Sequence, residues 1–177
     1  VTRVLLVDDQ PLVRAGLRLI LEPQDGIMIV GECEDGDEVR AAVDRLAPDI
    51  VVMDVRMRRV DGAEATRRLR EQDSAPPVLI LTTFDDDDTV AAALGAGAAG
   101  FILKDARGED IVRAVRTVAE GGSWLDPQVA GRVLESYRRT VARTPSGANA
   151  DLLTGRERDV LREVARGATN TEVADAL

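Results

Sequence analysis

The chain has 177 residues, 45% of them hydrophobic, and a formal net charge of −9, which suits one full domain and a smaller second one. It contains no histidine and one cysteine, Cys33. This excludes an internal disulfide, His-dependent nucleophilic triads, Cys/His zinc sites and histidine phosphorylation on this chain, leaving carboxylates to carry any metal or acid chemistry.

No apolar run approaches the roughly 18 to 20 residues of a membrane helix. The start, VTRVLLVDDQ, passes straight into charge without a signal-peptide pattern, so a cytoplasmic location and no membrane partner are expected. Five short apolar runs follow one another: VLLV (4–7), IMIV (27–30), IVVM (50–53), VLIL (78–81) and GFIL (100–103). Each is too short for a helix and apolar throughout, as in strands buried on both faces of a parallel sheet. Cys33, just after the second run, reads as a strand residue rather than a reactive thiol.

Helical spacing fills the gaps. Leu12, Gly16, Leu17, Ile20 and Leu21 form one set, Val39, Val43 and Leu46 a second, Ala63 to Leu69 a third, and Val90 to Leu94 a fourth. Ile111, Val112, Val115, Val118 and Ala119 close the series. The alternation predicts an α/β domain over residues 1–121 with a five-stranded doubly wound parallel sheet. Residues 122–150 read as a linker carrying an amphipathic helix, with Val129, Val133, Tyr137 and Val141 four apart, followed by the joint TPSGANAD at 144–151. Residues 151–177 then open a small all-α piece. Two capping boxes, Thr154 with Glu157 and Thr169 with Glu172, start two short helices that cannot bury a core by themselves.

GAGAAG, 95–100, fits the G-x-G-x-x-G spacing that cradles pyrophosphate. That fingerprint works only where glycines follow a strand and open a helix. Here they end a helix and precede a strand, which predicts a helix C-cap and tight turn. The basic residues are 22 Arg and a single lysine, Lys104. An ammonium is a compact point charge where guanidinium is a wide fork, so a narrow anion pocket can require lysine.

Lys104 stands just past the fifth strand, and sites in open α/β sheets form beyond the carboxyl ends of strands. Asp8 and Asp9 follow the first strand, Asp54 the third, and Thr82 the fourth. Each has an ordinary alternative: Asp9 as a helix cap, Asp54 as a turn residue, Thr82 as a strand-end β former. Jointly they suit phosphoryl transfer onto a carboxylate. Asp8 and Asp9 would hold a hard, oxygen-seeking cation such as Mg2+, Asp54 would be the nucleophile, and Lys104 and Thr82 would bind phosphoryl oxygens.

VLLVDDQ, PDIVVMDVRM, the DG at 61–62, VLILTT and GFILKD stand in the order in which the receiver domains of bacterial two-component response regulators carry them, and residues 3 to about 120 resemble that family. The resemblance implies a flavodoxin-like fold, Asp54 as phosphoacceptor, Asp8 and Asp9 as the magnesium pair, Thr82 as switch hydroxyl and Phe101 as switch aromatic. It implies the Arg56 backbone carbonyl as a further metal ligand, and a sensor histidine kinase as phosphoryl donor. Arg58 departs from the pattern, since the family usually has proline there, and the loop is expected to be less rigid. Arg56, Arg58 and Arg59 also make it basic, able to contact phosphate or the DDDD run at 85–88.

LLTGRERDVLREVARGATNTEVADAL resembles the first half of the helix-turn-helix domain of LuxR-type (NarL/FixJ) regulators. By resemblance the next helix would read the major groove, so specific contacts with promoter DNA are expected of an intact protein rather than of the chain to Leu177. Residues 127–177 hold eight Arg and seven acids, net +1, leaving −10 for the rest of the −9 total. Such a tail has little counterion-release affinity, and binding is expected to need that helix and a homodimer. The combined expectation is a phosphorylation-switched transcription regulator and not an enzyme beyond its own phosphorylation and slow dephosphorylation. Two other readings stand beside it. One is a phosphorylation-independent receiver working by protein contact. The other is a phosphohydrolase resembling haloacid dehalogenase-type enzymes, disfavoured because Arg56 occupies their general-acid position.

Overall fold

Each apolar run is a strand, and strands alternate with helices. In chain order they are β1 (Thr2–Val7), α1 (Pro11–Leu21), β2 (Ile27–Cys33), α2 (Gly36–Leu46), β3 (Ile50–Met53) and α3 (Gly62–Arg70). Then come β4 (Val78–Thr82), α4 (Asp87–Gly95), β5 (Gly100–Leu103), α5 (Gly108–Ala119) and β6 (Trp124–Leu125). The structure, a computed structural model, describes residues 1–72, 74–83, 87–131 and 133–135. By internal contacts the chain divides into two units, Val1–Val133 and Leu134–Leu177.

All strand pairs are parallel, in the order β2-β1-β3-β4-β5-β6. The chain winds one way from β1 to β2 and the other way from β1's opposite neighbour β3 onward. That reversal leaves a crevice at the carboxyl ends of β1 and β3. The sheet has six strands where the sequence predicts five. β6 pairs Trp124 with Gly100 and Leu125 with Phe101, and two residues after a glycine pair give no periodicity from which to predict a strand.

Side-chain alternation divides the core into two layers. Leu5, Val7, Met53, Ile80 and Phe101 pack under α2, α3 and α4 with Val39, Leu69 and Ala93. Leu6, Val52, Leu79 and Ile102 pack under α1 and α5 with Leu21 and Val115. Burying each Val, Leu, Ile or Phe contributes roughly 1.5–3 kcal/mol, so the continuous apolar strands are the main anchor of the sheet. Leu12 departs from expectation and is 86% exposed. Five residues at about 100° each place it roughly 140° round the helix from Leu17.

Gly95 and Gly97 terminate a helix, while Gly100 opens β5. Gly97 has φ +92°, its N–H donates to the Leu94 carbonyl (3.0 Å), and the Ala98 N–H donates to the Ala93 carbonyl (3.2 Å). This pair of bonds is the Schellman arrangement, in which a left-handed residue closes the last turn.

After β6 the chain remains attached to the sheet through Asp126, which is 4% exposed. Its N–H donates to the Phe101 carbonyl (2.9 Å), and its carboxylate accepts from the N–H groups of Leu103 (3.3 Å) and Gln128 (2.9 Å). Residues 127–131 and 133–135 are helical, and Val129 is fully buried among core residues that include Phe101 and Leu103. The linker-helix residues Tyr137 and Val141 and the predicted helices of 151–177 lie outside the described residues, as do Asp85 and Asp86 of the acidic run.

Candidate functional site

The parallel ladder continues one residue past several strands and so fixes the site. The Asp8 N–H donates to the Cys33 carbonyl (3.2 Å), the Asp54 N–H to the Val7 carbonyl (2.9 Å), and the Lys104 N–H to the Thr82 carbonyl (2.9 Å). Asp8 and Asp54 are 1% and 4% exposed. Lys104 reaches between them, with Nζ 2.6 Å from Asp8 Oδ2 and 3.3 Å from Asp54 Oδ2.

One carboxylate oxygen each from Asp8, Asp9 and Asp54 lies within 4.8 Å of the others. Burial pushes the Asp54 carboxyl above the usual carboxylate range, and the Asp8 charge adds to this while the Lys104 ammonium opposes it. Asp54 Oδ1 is buried without a hydrogen-bond partner. Three clustered carboxylates, with one orphaned buried oxygen among them, fit a hard cation that prefers oxygen ligands. Lys104 engages Oδ2 of Asp8 and of Asp54 and so leaves Asp54 Oδ1 for such an ion.

Other predicted residues fall as follows. Asp9 does not cap α1: the N-cap is Gln10, without a side-chain hydrogen bond. Asp9 Oδ2 instead lies 3.4 Å from Arg58 Nε. Thr82 is fully buried at the end of β4. Phe101 is fully buried in the core layer beneath α2, α3 and α4. Arg56 is exposed, two residues past Asp54 on the loop from β3 to α3. The return of that loop depends on Gly62, whose N–H donates to the Val55 carbonyl (2.8 Å). A Cβ at this position would stand 2.2 Å from the Asp54 carbonyl oxygen, so no side chain fits there without displacing the backbone of Asp54.

Two supporting residues escaped the sequence reading. Arg14 is 8% exposed. Its Nη1 donates to the Asp8 carbonyl (2.6 Å), while the same guanidinium pairs with Glu32 (2.9 Å) and Glu34 (3.0 Å). In the sequence it is indistinguishable from any surface arginine on a helix. Asp35 is also buried, and the loop after Asp54 is tied to it. Its sequence signal was the Asp-x-x-Glu pattern of Asp35 and Glu38 at a helix start. Arg59 turns toward this same region, pairing with Asp37 (3.0 Å) and Glu38 (2.7 Å).

Comparison with known proteins agrees with this geometry. The family described as the response regulator receiver domain matches residues 4–116. The chain is 41% identical over 179 residues to the transcriptional regulatory protein LiaR of Bacillus subtilis (strain 168), spanning 99% of this chain and 82% of that protein. It is 31% identical over 174 residues to the nitrate/nitrite response regulator protein NarL of Escherichia coli (strain K12), spanning 98% and 80%. The crystal structure of a LuxR-family two-component response regulator from Aurantimonas sp. SI85-9A1 superposes with a TM-score of 0.72 at 34% identity, covering 77% of this chain and 99% of that one. With a matching receiver region, relatives aligned over nearly its whole length and a parallel sheet presenting acids and a lysine at one edge, the chain belongs to the response regulator family, among the LuxR-type transcriptional regulators of two-component systems.

Proposed function

We propose that Asp54 accepts a phosphoryl group from a sensor histidine kinase, and that the modified receiver promotes dimerisation and promoter binding by the intact regulator. The observation that carries this reading is Lys104, seated between two buried carboxylates with Asp54 Oδ1 left unpartnered. A carboxylate oxygen of Asp54 attacks phosphorus as the bond from phosphorus to the donor's leaving atom breaks, giving an acyl phosphate and the free donor. Asp8, Asp9, Asp54 and the Arg56 carbonyl would hold Mg2+, which neutralises phosphoryl charge.

The aspartyl phosphate would carry about −1.5 to −2 charges if it resembles other phosphorylated side chains. Lys104 and Thr82, whose backbones are joined by the 2.9 Å bond across β4 and β5, would bind its oxygens. Moving a two-state equilibrium from 1:99 to 99:1 takes about 5.5 kcal/mol, and each hydrogen bond to a charged group gives about 1.5–3. Two such contacts supply most of that shift. Phe101 is the next element in the proposed relay, because its carbonyl accepts from Asp126 at the start of the linker helix.

Incubation with Mg2+ and acetyl phosphate, followed by intact mass and light scattering, tests both halves of the proposal. One added phosphoryl group and a rise toward dimer mass in the parent, with neither in Asp54→Asn, are expected. Phosphorylation of both proteins would remove Asp54 as the acceptor. Phosphorylation without a change in association would remove the dimer switch.

A further inference from the structure

Asp35 holds no substrate atom in the site above, yet the stretch following Asp54 is fastened to it. Its carboxylate is 2% exposed and receives four backbone donors, two on each oxygen. Oδ1 accepts from Gly36 (2.8 Å) and Val60 (2.8 Å), and Oδ2 from Arg58 (3.1 Å) and Arg59 (3.0 Å). Burial pushes its pKa up, but the N–H groups of Val60, Arg59 and Gly36 outweigh burial and hold the carboxyl below its usual value. A charge so deeply enclosed persists because these donors replace water.

Three of the donors belong to consecutive residues, 58 to 60, of a single loop. One of them exists only because residue 58 is not proline, which has no N–H. Arg58 thus fastens two places: its N–H is held by Asp35, and its Nε lies 3.4 Å from Asp9 Oδ2. Asp35 stands at the start of α2 and Asp54 follows β3, so the bonds tie α2 to the loop that begins at the phosphoacceptor.

We propose that Asp35 is a positioning residue of the phosphorylation site, fixing the loop of residues 56 to 60 beside the Asp8, Asp9 and Asp54 carboxylates and thereby setting the site's affinity for Mg2+. The inference rests on the reading of that acidic cluster as a metal site. Groups that orient a metal site from behind its ligands commonly change affinity by about 10- to 100-fold when removed. The loop here is held at one remove, so the lower figure applies.

The test is calorimetric titration of the full chain with Mg2+, without phosphodonor, at a temperature where each variant is folded by circular dichroism. Asp35→Ala should raise the dissociation constant about tenfold. Asp35→Asn is isosteric and keeps one acceptor oxygen, but it sets an amide NH2 against two of the four N–H donors. It should raise the constant about threefold or more, and it carries the test if the alanine variant does not fold.

Two controls separate positioning from general effects. Leu21→Ala loosens the core on the opposite side of the sheet and should lower the melting temperature without altering Mg2+ affinity. Glu38→Gln removes a nearby negative charge while its amide oxygen can still accept from Arg59 Nη2 and the three loop N–H groups stay on Asp35, so it should leave affinity within about twofold given solvent screening of an exposed carboxylate. Asp35 variants that lose stability yet bind Mg2+ like the parent would overturn the inference while leaving the proposed function standing. A Glu38→Gln loss equal to that of Asp35→Asn would also overturn it, by reducing the effect to charge. A parent that binds no Mg2+ would overturn the metal-site reading and this inference together.

Discussion

Replacing Lys104 by methionine removes one ammonium and leaves the length of the side chain nearly unchanged. At 2.6 and 3.3 Å from two buried carboxylates, the attractions amount to about 6 and about 5 kcal/mol at an effective dielectric of about 20. Holding the ammonium away from water offsets several kcal/mol of that, and removing one member of a buried ion pair typically costs about 3–5 kcal/mol. With total stabilities near 5–15 kcal/mol, the variant should remain folded but weakened. At an m-value near 2 kcal/mol/M the urea midpoint should fall by about 2 M. The single tryptophan, Trp124 in β6, reports unfolding of the first unit by fluorescence. Millimolar Mg2+ should recover part of the loss, because it supplies positive charge to the same carboxylates. A fall below about 0.5 M, or a loss that Mg2+ does not reduce, would refute the claim that Lys104 is the counter-charge holding these acids together.

Further consequences concern the surrounding residues. Burial raises the Asp54 pKa above the ordinary aspartate value of 3.8, so the folded chain binds that proton more readily than the unfolded one. The resulting cost is absent below 3.8, grows as pH rises through the folded-state value and is fully present above it. Asp54→Asn should therefore raise the metal-free denaturation midpoint at neutral pH and flatten the loss of stability with rising pH, and an unchanged pH profile would contradict this. Gly62→Ala, which forces a methyl group to within 2.2 Å of the Asp54 carbonyl oxygen, should cost about 1–3 kcal/mol as an overpacked site does and slow phosphorylation by acetyl phosphate; normal kinetics would show that the loop gives way harmlessly. Asp126→Ala deletes the acceptor for the Leu103 and Gln128 N–H groups and should lower stability by about 1–2 kcal/mol, read by the same tryptophan assay.

The strands were legible because burial on both faces leaves little room for polar residues in VLLV, IVVM and VLIL. Their parallel order then brings Asp8, Asp54, Thr82 and Lys104 to one edge, so the site followed from residue types at strand ends. The lone lysine stood out against 22 arginines and proved to be the charge between Asp8 and Asp54. What stayed hidden depends on contacts made by backbone or across long separations. β6 is only two residues long. Asp35 acts on backbone N–H groups whose side chains carry no sign of it, and the added freedom expected from Arg58 is countered by a bond that proline could not make. Leu12 is a different case: it is apolar, yet its five-residue spacing from Leu17 already places it off the buried face of α1.

Borohydride reduction provides the most direct measurement, because it converts an acyl phosphate of aspartate to homoserine and marks the residue that carried it. The full chain should be treated with Mg2+ and acetyl phosphate, reduced, digested and sequenced by tandem mass spectrometry. Homoserine at position 54, dependent on both phosphodonor and Mg2+, is the expected result. Homoserine at Asp8 or Asp9 instead, or none at any position while Mg2+ binds, would contradict the assignment of Asp54 as the phosphoacceptor.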